Sequence, residues 1–178
     1  MMVKEKYSVG EYERRFLLDA LPPGATDPRR IVDLYLEGTR LRLRTVERPD
    51  AGTERKLGHK RRLAADDPRA ILHTSMYLDE NEHRALAALP ARRLVKIRWA
   101  VEVDGRQGSA NVFQESLEGL ILLEVDLGDP SLLDGFVPPA WAGAEVTEDE
   151  AFTGGQLAGR SFDELGAALS AASARRSQ

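Results

Sequence analysis

Over residues 11–127 the chain alternates apolar and polar residues in short runs broken by turn-forming clusters, the pattern of successive β-strands. Residues 11–18 read as a strand, followed by the turn-rich LPPGATDP. Residues 31–36 and 39–47 read as two strands joined at Glu37-Gly38, and RPDAGT then turns the chain into a strand over 54–61. The stretch 63–70 has no clear period, and 74–78 reads as a short strand. Asp79 is an N-cap for a helix running to about residue 89, where Pro90 follows. Strands are expected over 94–103, 109–114 and 120–127, with Asp104-Gly105 as a turn, and residues 144–146 add a last short one. Residues 161–174 predict a C-terminal helix capped by Ser161, with Glu164 in the capping-box position, and the tail SARRSQ is expected to fray. Many strands joined by short turns predict a barrel or strongly curved antiparallel sheet, not a parallel α/β fold.

Charge follows the strand period. Side chains two apart share a face, so Arg40, Arg42 and Arg44 project together, as do Lys56 with Lys60 and Lys96 with Arg98. Glu11 and Glu13 flank Tyr12, and Glu124 and Asp126 flank Val125. On a half-exposed sheet these charges would face water; in a barrel they can instead line a wet lumen, with the apolar parity buried under outer helices. Periodicity alone does not choose between the two. If the face is concave, two cations about 8 Å apart at an effective dielectric of about 20 repel by roughly 2 kcal/mol. Seven of them in one lumen would need carboxylates or a polyanion to offset that repulsion. A linear triphosphate suits arginine forks, and paired carboxylates beside it suit Mg2+ or Mn2+, which bridge to phosphate oxygens.

Composition adds mainly exclusions. The 178 residues suit one domain, 1–178, with a core at about 8–160 and the C-terminal helix beyond it. There is no cysteine, so disulfides, zinc–thiolate sites and cysteine nucleophiles are excluded. The net charge of -4 and a pI near 5.5 argue against a general nucleic-acid binder. No apolar run suits a bilayer, and MMVKEKYSVG lacks a signal-peptide core, so no membrane partner and a cytoplasmic location are expected. The three histidines, His59, His73 and His83, show no metal-ligand spacing; His59 is the hardest to dismiss. Trp99 and Trp141 read as packing residues, Gly154-Gly155 as a hinge or turn, and Arg29-Arg30, Arg61-Arg62 and Arg92-Arg93 as solvated strand or turn ends. The alanine-rich final helix is expected to pack outside the barrel or against a partner, such as a second copy in a homodimer.

EYERRF, from Glu11 to Phe16, resembles the ExExK signature of the CYTH superfamily, the triphosphate tunnel metalloenzymes. The resemblance continues in the family's order through YLEGTRLRLR, KLGHK, TSMYLDENEHRALAALPARRLVKIR, NVFQESLEGLILLEVDL and EVTEDEAFTGGQLA. It implies an α+β fold, an eight-stranded antiparallel tunnel with helices packed outside, and hydrolysis of a short polyphosphate or organic triphosphate. Glu11, Glu13, Glu124 and Asp126 would hold Mg2+ or Mn2+. Arg42, Arg44, Lys56, Lys60, Lys96 and Arg98, with Arg40 by parity, would contact phosphates. Glu13 or Asp126 would orient the attacking water, with Arg15 in the catalytic set. The alternatives are a polyphosphate- or nucleotide-binding module without turnover, and a class IV-type adenylate cyclase. Four positions depart from the pattern. Arg15 replaces a lysine and cannot transfer a proton at neutral pH. Asn111 replaces an aspartate, Asp126 replaces a glutamate, and Glu115 stands where glycine is usual and could aim a carboxylate at the lumen.

Overall fold

Eight strands close on themselves: β1 (Val9–Leu17), β2 (Thr26–Leu36), β3 (Leu41–Arg48), β4 (Gly52–Arg62), β5 (Ala70–Tyr77), β6 (Ala91–Val103), β7 (Arg106–Phe113) and β8 (Ile121–Asp126). The computed structural model describes residues 7–63 and 69–176. All neighbouring strands are antiparallel, in the circular order β1-β5-β4-β3-β2-β6-β7-β8. Closure leaves no free sheet edge, so every strand has two hydrogen-bonding neighbours. Among the described residues three α-helices are added: α1 (Glu80–Ala87), α2 (Gly154–Leu157) and α3 (Gly166–Arg176). Among the described residues no helix is long and apolar enough to cross a membrane.

The register settles which face is inner. Residues paired directly across antiparallel strands share a face. Asp33 stands opposite Arg44, Tyr35 opposite Arg42, Arg15 opposite Glu124, Arg98 opposite Asn111, and Lys60 opposite His73. This charged parity points into the barrel. The other parity supplies Phe16, Val101, Val103, Ala110, Leu123 and Val125, which pack outside it with Leu127, Leu133 and Ala142. Each buried valine, leucine or phenylalanine among them contributes about 1.5–3 kcal/mol. The cover on that side is the irregular chain after β8.

Toward one end the inward face turns apolar. Leu94, Phe113 and Leu122, with Leu17 and Tyr35 beside them, pack against Phe152, Leu157, Leu165 and Ala172. The carboxy-terminal chain thus seals part of the barrel with hydrophobic contacts, and the last helix is held by this core instead of lying free.

Several elements differ from the sequence expectation for local reasons. β2 begins at Thr26, inside the expected turn, because Asp27 adopts a positive φ of 49° and the pairing with β6 slips between Thr26 and Arg29. A β-bulge there absorbs Pro28, which has no N–H to donate. The expected strand at 144–146 is a single bridge between Phe16 and Glu145. α1 starts as expected: Glu82 N donates to Asp79 Oδ1 at 2.9 Å and Asp79 N to Glu82 Oε2 at 2.8 Å, a complete capping box. With no buried residue of its own, α1 is tied to β3 through Thr45 Oγ1 and His83 Nε2, 3.0 Å apart. At the C-terminus Ser161 N donates to Glu164 at 2.7 Å, but a 3-10 turn at Asp163–Leu165 precedes α3. Most of the unassigned stretch 63–70 and the end of the tail lie outside the described residues.

Candidate active site

The barrel encloses a cavity of about 510 Å³ that reaches the β2–β3 turn and α2. Nine basic side chains line it: Arg15, Arg40, Arg42, Arg44, Lys60, Arg62, Arg92, Lys96 and Arg98. Four acids oppose them, Glu11, Glu13, Glu37 and Glu124, with His73 alongside. The excess of cations in a partly closed space focuses a positive potential and favours a compact polyanion.

Asp33 organises the basic wall. It is 1% exposed and accepts two bonds from Arg44, at 2.6 Å from Nε and 2.7 Å from Nη2, while Arg42 Nε lies 3.6 Å away. Burial alone would raise its carboxyl, but Arg44 and Arg42 outweigh that and hold it far below the usual carboxylate range. The same pair keeps the Arg44 guanidinium firmly charged against its own desolvation. Arg15 is also buried: its Nη1 donates to the Phe152 carbonyl at 3.2 Å, and its Nε has no partner among the described residues. Arg98 donates from Nε to Asn111 Oδ1 at 2.9 Å and from Nη2 to Glu124 Oε2 at 2.5 Å. Asn111 thus still supplies an acceptor where the resemblance expects aspartate, without the charge.

Lys96 stands apart. It is 5% exposed, its ammonium lies 5.5 Å from the centre of the Phe113 ring, and burial pushes its pKa down to about 7 despite nearby Glu124. Among the acids, burial would raise Glu124, but Lys96, Arg98, Arg15 and Lys60 together hold it well below the normal range. Glu13 goes the other way. Burial raises its carboxyl, and the attraction of Lys60 does not cancel the repulsion of Glu124 and Glu11. Glu11 is bound on both oxygens, by Lys60 and by His73 Nδ1 at 2.7 Å. Those bonds lower its pKa to about 2 against the opposing pull of burial.

The barrel gathers Glu11, Glu13, Glu124, Arg15, Arg42, Arg44, Lys60, Lys96 and Arg98 around one space, with Arg40 exposed at its rim in the β2–β3 turn. Two expected members fall outside. Lys56 pairs with Glu54 at 2.8 Å and lies 4.7 Å from the centre of the Tyr77 ring, because the register sets it opposite Tyr77, beyond the cavity. Asp126 is exposed at the end of β8, where Oδ1 accepts from Tyr12 N at 3.1 Å and Gly128 N at 3.0 Å; it terminates the strand. Glu115 occupies a positive φ of 58°, which accounts for glycine being usual there, and its carboxylate pairs with Arg93 away from the lumen.

Other cavity residues escaped the sequence reading. His73, not His59, faces the lumen; His59 has the parity of Leu41 and Thr74. Arg62 and Arg92 are exposed at strand ends, as expected, and also border the cavity, with Arg62 paired to Glu150. Gly154 and Gly155, expected as a hinge or turn, open the single helical turn α2, and Gly154 has a packing reason: a Cβ there would come 2.1 Å from the Tyr35 hydroxyl. Asp33 carried a readable signal, a lone acid in the apolar run IVDLYL with the parity that faces Arg44.

No family model matches the chain. It is 29% identical to an inorganic triphosphatase of Nitrosomonas europaea, over 83% of this chain and 96% of that one. A crystal structure of the inorganic triphosphatase NE1496 superposes with a TM-score of 0.60 at 27% identity, covering 89% of this chain and 96% of that one. A conserved hypothetical protein of Pyrococcus furiosus shares the fold, with a TM-score of 0.51 at 16% identity over 70% of this chain and 84% of that one. The chain is thus similar along most of its length, in sequence and in barrel, to an inorganic triphosphatase.

Proposed function

We propose that this chain is a triphosphatase-type phosphohydrolase of the CYTH superfamily, cleaving inorganic triphosphate inside the barrel with the help of Mg2+ or Mn2+. The observation that carries the reading is the lumen itself: nine cations converge on a cavity of about 510 Å³ that also holds the carboxylates Glu13 and Glu124. The similarity to an inorganic triphosphatase supports the same substrate.

The donor set fits a divalent cation held jointly by protein and substrate. Among the described residues no three acidic or histidine side chains converge as a ready-made metal site. No hydrogen bond reaches the Glu13 carboxylate or Glu124 Oε1 among those residues, so these oxygens are free to coordinate. Two protein carboxylates with phosphate oxygens and water completing the shell is the usual arrangement for Mg2+. The bound cation would neutralise phosphate charge and polarise the scissile phosphorus.

The remaining chemistry falls to the protein. Arg15, Arg42, Arg44, Lys60, Lys96 and Arg98 bind the chain of phosphates and stabilise the charge that builds on the leaving pyrophosphate. Glu13 accepts a proton from the water as the water's oxygen bonds to the terminal phosphorus. The bridging P–O bond breaks, and Lys96, with a pKa of about 7, supplies a proton to the departing oxygen. Arg15 stays charged throughout and acts electrostatically.

Phosphate release from triphosphate, ATP and thiamine triphosphate, each with Mg2+ or Mn2+, tests the proposal. Turnover of triphosphate that EDTA stops is expected. Absence of metal-dependent release from all three would defeat it.

A further inference from the structure

The lumen differs along its length. Beyond the Asp33–Arg44 pair, the next inward positions on β2 and β3 are Ile31 and Val46, register partners that are 2% and 6% exposed. The lumen is therefore floored with hydrocarbon on those strands, beside Lys96, which pairs in register with Ile31. In the other direction it opens between the β2–β3 turn and α2, where Arg40, Arg62 and Arg92 border the cavity. Glu150 takes Arg62, but Arg40 and Arg92 have no carboxylate partner among the described residues. The stem of Arg92 lies along Gly159, where a Cβ would come 3.4 Å from the Arg92 Cβ, and its Nη1 reaches the Ala158 carbonyl at 3.5 Å.

An organic group finds little to rest on at this mouth. Among the described residues lining the cavity, Tyr35 and His73 carry the aromatic rings. Tyr35 is covered by α2: a Cβ on Gly154 would come 2.1 Å from its hydroxyl, and one on Gly155 3.8 Å from its ring carbons. It also packs against the apolar cluster that seals part of the barrel. A base therefore has no open Tyr35 face to stack on, whereas two arginine forks suit a further phosphate.

We infer that the mouth holds the continuation of an inorganic phosphate chain, so that linear polyphosphates longer than three units are substrates, shortened from their ends. This rests on the triphosphatase reading of the same cavity. The inner cations grip the last three phosphates, and Arg40 and Arg92 take the fourth. A chain entering by the mouth meets the Ile31–Val46 floor, so its end and not its middle fills the lumen. In each turnover the water's oxygen bonds to the terminal phosphorus and the adjoining P–O–P bridge breaks. One phosphate is released, and the chain leaves one unit shorter with the water's proton on its new end.

Calorimetry in EDTA with linear triphosphate and tetraphosphate reads the mouth without turnover. Tetraphosphate should bind wild type about fivefold or more tightly than triphosphate, as one added charge-assisted contact implies. Arg92→Gln, which keeps most of the stem on Gly159, should weaken tetraphosphate by about fivefold, with a smaller change for triphosphate and for ATP. With Mg2+, electrophoresis of a longer linear chain should show stepwise shortening with phosphate release, and cyclic trimetaphosphate, which has no end, should survive. Equal losses for triphosphate and tetraphosphate in Arg92→Gln would overturn the inference, as would a loss confined to ATP or cleavage at internal bridges. Turnover of triphosphate without shortening of tetraphosphate would also overturn it and leave the proposed function standing. A wild type that turns over neither defeats the proposed function, while the calorimetry still decides whether the mouth holds a fourth phosphate.

Discussion

Lys96→Met is expected to raise the melting temperature while weakening triphosphate binding by about a hundredfold. The two effects have one origin. Lys96 is 5% exposed, its register partners are Ile31 and Phe113, and Arg98 and Arg44 repel its charge. Burial and these cations depress its folded pKa to about 7 from 10.5, so between those values the unfolded chain binds more protons than the folded one. Stability therefore rises with pH across that window, and the full burden of the charge is present below pH 7. Methionine has nearly the same length, suits an apolar site and removes the burden. It also removes a charge-assisted bond to phosphate, worth about 1.5–3 kcal/mol. Thermal melting and calorimetry with triphosphate in EDTA measure both effects. Since the ligand's charge favours protonated Lys96, wild-type binding at pH 8 should take up a proton, visible as heats that differ between buffers of unlike ionisation enthalpy. A variant that melts lower and binds equally well would contradict this account of Lys96.

Asp33→Ala should be the most damaging single substitution to the fold, costing about 3–5 kcal/mol of stability. Its carboxylate is the shared counter-ion of Arg44 and Arg42 at a site almost closed to water. Removing it leaves two guanidinium groups facing each other with no anion between them, and that uncompensated burial is the larger part of the cost. The pH dependence has a definite sign. Asp33, Glu124 and Glu11 all have folded pKa values below their unfolded ones. Their contribution is present above the unfolded values, about 4, and drains away as pH falls through the folded ones. Wild type should lose stability steeply below about pH 5, and Asp33→Ala should show a shallower acid limb. Urea unfolding at pH 7 and pH 3 measures both. A loss under about 1 kcal/mol at pH 7 would mean that the Asp33–Arg44 pair is not the buried ion pair described.

What was legible beforehand was parity. Alternation of charge and hydrocarbon pointed to a barrel or strongly curved sheet and grouped the charges by face, since a side chain's face depends only on odd or even position, while the assignment of that face to a lumen came from the family resemblance. Height along the barrel depends on register between strands, which no single strand encodes. Lys56 and Asp126 therefore had the correct parity but lie past the cavity, one against Tyr77 and the other closing its strand. His73 was missed for a related reason: a lone histidine has no spacing to recommend it, and its partner Glu11 is 62 residues away in sequence. Gly154 depends on a contact with Tyr35 across the barrel end, another long-range fact. Asp33 was within reach, because an acid at an inward position of an otherwise apolar strand needs a buried cation, and Arg44 was the available one.

A crystal structure of the protein soaked with triphosphate and Mn2+ bears most directly on whether the opposed charges serve one ligand. Phosphate oxygens should lie within about 3 Å of Arg15, Arg42, Lys96 and Arg98 inside the barrel, with Mn2+ between them and the carboxylates of Glu13 and Glu124. Triphosphate seated on the outer surface, with the lumen holding only water, would contradict the account.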